Sequence, residues 1–148
     1  MSQWVKLNPN ALNAERRELI RGVRVNVFVS PHDVPEAVRG EFEKSLNRFV
    51  IEFKYIDEEP WSRAPRDNNL ALRVGRHSGR LHGIEIDVVG LQADKVELRM
   101  HIVDMIKQAI SGLAQRSGKT QRTANYQIAK DVISKEQDQI FASMSPSR

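Results

Sequence analysis

Four histidines, nineteen carboxylates and no cysteine set the chemistry open to this 148-residue chain. Without cysteine there are no disulfides, thiolate metal sites or thiol nucleophiles. The most suggestive cluster is a compact cationic turn, in which Arg73, Arg76 and Arg80 surround His77-Ser78-Gly79. Guanidinium forks match carboxylate and phosphate oxygens, so such a turn can hold an anion. Trp61 lies in the loop just upstream, and aromatic and arginine side chains together are common centres of binding surfaces. Trp61, Arg73, Arg76, His77 and Arg80 are therefore the candidate ligand- or partner-binding residues.

Other constellations are weaker. Glu97, His101 and Asp104 lie one turn apart on one strip of an expected helix, where they could bind a divalent ion or orient a general base. No further ligand is evident, and surface helices often carry such residues. His82 alternates with Ile84 and Ile86, whereas Glu85 and Asp87 point the opposite way, so these groups do not converge on one ion. Neither a metal nor a cofactor is expected. Gly118-Lys119-Thr120 is not a phosphate loop: five residues separate Gly112 from Gly118 where four are required, and a helix precedes it rather than a strand. No Gly-x-Ser-x-Gly elbow is present either.

Between Asp104 and Asp131 the chain has no acid, while Lys107, Arg116, Lys119, Arg122 and Lys130 fall there. That run creates a local positive field and supports an alternative, nucleic-acid binding through Arg116, Lys119 and Arg122, with Tyr126 near enough to stack. The charges are spread over several helical turns, and no nucleic-acid module is recognisable.

Hydrophobic patterning places these residues on elements. Leu70, Leu72 and Val74 alternate with polar or small residues, as do Ile84, Ile86 and Val88, which marks two half-buried strands. A turn at His77-Ser78-Gly79 sets Leu72 opposite Ile84, Leu70 opposite Ile86 and Val74 opposite His82, with every large apolar side chain on one face. Residues 23–29 and 48–56 read as two more strands, and 57–69 as a long loop. Residues 10–21 read as a short helix that Gly22 stops.

Val34, Val38, Phe42 and Leu46 recur every four residues and favour a helix over 34–47; the competing reading is a short helical turn at 35–38 followed by a hairpin turning at Lys44–Asn47. Residues 94–116 and 121–143 read as helices, the first apolar around more than half its circumference and so needing cover on two sides. The sheet can supply one cover and the C-terminal helix the other, in the same subunit or across an interface, and the oversized apolar sector makes a homodimer an expectation. The fold expected is one α+β domain: a two-layer sandwich of a four-stranded, mostly antiparallel sheet with helices on one face. If 34–47 were a crossover helix, the first two strands would run parallel. Residues 1–9 and 144–148 are expected to be flexible ends.

A net charge of +4, 40 % hydrophobic residues and no apolar run of spanning length are ordinary for a soluble, cytoplasmic chain. The runs VIEFKYIDEEPW (50–61) and GRLHGIEIDVV (79–89) resemble small bacterial proteins such as those encoded on mobile gene cassettes; the likeness carries no diagnostic motif and implies no site residue. The leading expectation is a small non-enzymatic binding or adaptor protein recognising its partner through the Asp57–Asn69 loop and the Arg76–Arg80 tip. Nucleic-acid binding, and an acid–base or metal-dependent enzyme using Glu97, His101 and Asp104, are the alternatives.

Overall fold

The computed structural model describes residues 4–7, 15–20, 22–28, 31–64, 69–88, 95–117 and 120–142. In chain order the strands are β1 (Val5–Lys6), β2 (Glu15–Ile20), β3 (Val23–Phe28), β4 (Ala37–Glu43), β5 (Arg48–Lys54), β6 (Trp61–Arg63), β7 (Leu70–Gly75) and β8 (Leu81–Asp87). Helices α1 (Lys95–Ser117), α2 (Thr120–Lys135) and α3 (Gln137–Ile140) follow. Six strands form one antiparallel sheet in the order β1-β4-β5-β8-β7-β6, and β2 and β3 pair separately.

The α+β class is as expected, but the sheet has six strands rather than four. Phe49, Ile51 and Phe53 on β5, Leu70 and Leu72 on β7, and Ile84 and Ile86 on β8 share one face, each at most 5 % exposed. The helices bury that face through Ile102, Ile106 and Ile110 of α1 and Ile128, Val132 and Ile133 of α2. At the end of α3, Phe141 stacks on Phe49 with ring centroids 5.0 Å apart. The second side of α1 is covered by α2 of the same chain, while Met100 of α1 is exposed.

Three readings are corrected. Residues 15–20 are a strand, not a helix; 10–14 and 21 lie outside the described residues. Ile20 pairs with Val23 across a two-residue turn, so Gly22, at φ +81°, supplies a left-handed turn position rather than a helix stop. Residues 34–47 are not a crossover helix. A 3-10 turn (Pro31–Asp33) leads into β4, and a second (Lys44–Leu46) with Asn47 at φ +48° returns the chain into β5. The hairpin of the competing reading is the one adopted, but its helical turn lies at Pro31–Asp33 rather than 35–38, where β4 begins. Val34 and Val38 are buried while Leu46 is exposed, so the fourfold recurrence is no continuous stripe, and seven in-register pairs with β5 hold β4 instead. All pairs in this sheet are consequently antiparallel, and β3 is no member of it.

Smaller differences follow the same logic. The expected loop 57–69 contains edge strand β6, and Val5 and Lys6 of the N-terminal end pair with β4. The last helix stops at Lys135 before the short α3, rather than running to 143; residues 144–148 lie outside the described residues. No helix among the described residues is long and apolar enough to cross a membrane.

Candidate functional site

Hairpin β7–β8 has the expected register at Leu70–Ile86 and Leu72–Ile84, and Gly79 sits at φ +75°. One residue later the register slips: Arg73 pairs with Gly83, but Val74 pairs with Leu81. A bulge inserts an extra residue into one strand and redirects a side chain. Here Leu81 takes the core position that simple alternation gives to His82, and His82 instead meets Glu59.

Glu59 is the centre of the site. It comes from the acidic stretch after β5 and inserts into the hairpin tip, where its side chain is only 6 % exposed. Its carboxylate accepts the backbone N–H groups of His77 and Ser78, each at 3.0 Å, and the Ser78 hydroxyl. Arg80 donates through Nη2 at 3.0 Å, and His82 through Nε2 at 2.9 Å. Consecutive backbone N–H groups at a turn form a concavity for anions. Gly75 floors it, since a Cβ there would lie 2.4 Å from the Glu59 Oε2. Burial opposes the charge on Glu59, but the bonds from Ser78, His82 and Arg80 outweigh it and hold the carboxyl well below its ordinary range.

The cationic turn is thus an anion site, as its residues suggest, but the anion is the chain's own. Arg80, expected at the binding surface, is buried and fully engaged. It donates to the carbonyls of His32 and Asp57 as well as to Glu59, and its guanidinium lies 4.7 Å from the Tyr55 ring centroid. Arg76 and His77 remain exposed, with Arg76 Nε donating to Ser62 Oγ at 2.8 Å. Helix α2 clamps the tip from the other side: the Tyr126 hydroxyl donates to the Gly79 carbonyl at 2.6 Å, and Asn125 accepts the Leu81 N–H at 3.2 Å. The Tyr55 hydroxyl donates to the Leu81 carbonyl at 2.7 Å, and burial raises its pKa well above the ordinary phenol value, against smaller opposing effects of Asn125 and Arg80.

On the helix-free face lies a second network. Arg73 donates through Nε to Glu85 at 2.7 Å and through Nη1 to Glu52 at 3.5 Å. Arg63 donates to the same Glu85 at 2.9 Å, Arg48 lies 3.6 Å from it, and Arg39 donates through Nε to Glu52 at 3.1 Å. Glu85 is fully buried; burial opposes its ionisation, yet Arg63 and Arg73 hold its carboxyl below the ordinary range. The arginines also lie against tryptophans, Arg39 4.4 Å from the Trp4 centroid and Arg73 4.5 Å from that of Trp61.

Between the two networks is a hollow of about 440 Å³, bordered by Trp4, Trp61, Arg73, Glu58 and the Glu59–His82 pair. Trp4 adjoins β1 and Trp61 opens β6, the two opposite edges of the sheet. Laid flat, six strands would hold those edges about 24 Å apart at ~4.8 Å per neighbour. Their meeting around one hollow requires the sheet to curl toward its helix-free face.

Of the sequence candidates, then, Trp61 and Arg73 meet in the hollow, Arg76 and His77 stay near it on the surface, and Arg80 is withdrawn. Sequence reasoning missed Glu52 and Trp4, and covered Glu58 and Glu59 only as part of the Asp57–Asn69 loop without giving either a role. The acid-proline-tryptophan run Glu58-Glu59-Pro60-Trp61 was the available signal, since a carboxylate next to a rigid turn is well placed to be fixed by a neighbouring cationic tip.

The alternatives gain no such convergence. His101 and Asp104 are exposed on α1, and the Glu97 side chain lies outside what is described. No group of three or more potential metal ligands occurs among the described residues. Arg116 and Arg122 fall on α1 and α2, Lys119 lies outside the described residues, and Lys130 donates to Ser111 Oγ at 2.9 Å. Compared with protein-family models, with curated proteins and with solved structures, the chain matches none.

Proposed function

We propose that this chain is a small binding or adaptor protein, without catalysis of its own, whose recognition site is the hollow between Trp4 and Trp61 together with the adjoining Arg76 and His77. The observation that carries this reading is the enclosure itself: two tryptophans from opposite sheet edges border one hollow of about 440 Å³. Preformed hollows of this size, with aromatic walls and a few fixed polar groups, are the usual form of a ligand site. Its Arg73, Glu52 and Glu59 walls are already held by ion pairs, so little of their side-chain freedom is lost on binding.

A relay enzyme fits these atoms less well. In a serine–histidine relay the imidazole stands between hydroxyl and carboxylate. Here Glu59 binds both Ser78 and His82 directly, so the histidine does not stand between that hydroxyl and the carboxylate. A cysteine-free chain also suits a reducing cytoplasm, where we place it.

The test is a small-fragment screen followed by amide and indole NMR shifts on the full chain. Hits are expected to move the Trp4 and Trp61 indole signals, and Trp61→Ala is expected to weaken them at least tenfold. Hits that map instead to the basic 107–130 segment, or that ignore both Trp61→Ala and Arg76→Ala, overturn the reading.

A further inference from the structure

We infer that the hollow takes a cationic, donor-rich group, a guanidinium or a protonated amine; this rests on reading the hollow as the recognition site. The polar groups lining the hollow favour such a cation. Arg73 is committed to Glu52 and Glu85 and lies against Trp61. Glu59 is committed to the hairpin tip. His82 is the informative group. Its side chain is only 10 % exposed, it borders the hollow, and its Nε2 donates to Glu59.

An ionised carboxylate can only accept, so Nε2 carries a proton, and in the neutral ring Nδ1 keeps its lone pair. That Nδ1 has no hydrogen-bond partner among the described residues. An open acceptor on a nine-tenths-buried side chain that borders the hollow calls for a donor. Glu58 adds a second acceptor: it is exposed beside the hollow and has no ion pair or hydrogen bond among the described residues. Asp57 holds His32 through Oδ2 alone. Beside these, the open donors are the exposed Lys54 and the indole N–H groups of Trp4 and Trp61. Charge favours a cation: the lining holds four carboxylates, Glu52, Asp57, Glu58 and Glu59, against two cations, Lys54 and Arg73. The electron-rich rings of Trp4 and Trp61, against which Arg39 and Arg73 lie, suit a flat one.

The test titrates the full chain with agmatine and with a capped Gly-Arg-Gly peptide, against succinate as the anionic control. Tryptophan fluorescence and the His82 ring ¹⁵N shifts are read. Both cations are expected to quench the tryptophans and to shift His82 Nδ1 toward its hydrogen-bonded position. Glu58→Gln, at an exposed position, is expected to weaken them about tenfold, the effect of losing one charge-assisted bond. Much tighter binding of the peptide marks the source as a partner's arginine, and equal binding marks it as a free small cation.

Succinate perturbing the tryptophans while neither cation does overturns the inference and leaves the binding site standing. Cation binding that ignores Glu58→Gln and leaves Nδ1 unmoved also overturns it. If cations, succinate and fragments all fail to perturb either tryptophan, the inference and the site fall together.

Discussion

Glu59 is the residue on which the site turns, because it fills a receptor that the chain itself builds. Removing it leaves Arg80, the Ser78 hydroxyl and two tip N–H groups facing one another without their common acceptor. Breaking a buried ion pair from one side typically costs about 3–5 kcal/mol. Glu59→Ala is therefore expected to lower stability by about that much in denaturant titrations. The vacated concavity still has the donors of an anion site, so acetate at tens of millimolar is expected to restore part of the loss, and sodium chloride at equal ionic strength is not. Equal effects of the two salts would mean that general screening, not a carboxylate receptor, explains the contacts. His82 depends on the same residue: with Glu59 gone, nothing among the described residues fixes which of its ring nitrogens carries the proton.

At the scale of elements, what the sequence made legible was the alternation of strands, and what it hid was long-range competition. Leu70–Gly75 and Leu81–Asp87 carry their pattern within a few residues and pair with each other, so their register could be read almost to the tip. The bulge could not, because Leu81 and His82 both suit the core by residue type, and the choice between them depends on Glu59, twenty-odd residues upstream. Segments 15–20 and 34–47 failed for a related reason. Short apolar runs satisfy both helical and extended spacing, and pairing partners elsewhere decide. The helical core was legible at Ile102, Ile106 and Ile110, but α3 was not, since a four-residue helix has too little length for a period.

Anchoring of α3 is the testable consequence. Phe141 is 2 % exposed and stacks on Phe49, and Ile140 is fully buried against the same core. Truncating a buried phenylalanine typically costs about 3–5 kcal/mol. Phe141→Ala is thus expected to destabilise the chain by about that amount, whereas Met100→Ala, at an exposed position, is expected to change it by less than about 0.5 kcal/mol. Chemical denaturation of both variants checks this. Similar losses would mean that α3 is not part of the cooperative core.

For the molecule as a whole, three buried ionisable groups set the pH range in which the fold is stable. Glu59 and Glu85 are both held below the ordinary carboxyl value of 4.5 by their donors. Below about that pH the unfolded chain takes up protons at these positions while the folded chain resists them, so stability falls as pH falls. Tyr55 shifts the other way. Burial raises it above the ordinary 10.0, so above that pH the unfolded chain releases a proton that the folded chain retains, and stability falls as pH rises.

Both carboxylates and the phenol lie near the sheet's helix-free face or at the hairpin tip, so the chemistry that shapes the hollow also bounds the fold's pH tolerance. Melts from pH 2 to 11 are expected to give a plateau between about 5 and 9.5, falling on either side. Glu85→Gln is expected to lower the plateau and flatten the acid limb, because glutamine cannot titrate. Tyr55→Phe is expected to flatten the alkaline limb alone. An acid limb of unchanged slope in Glu85→Gln would place the titrating groups elsewhere and separate the pH tolerance of the fold from the arginine–carboxylate face.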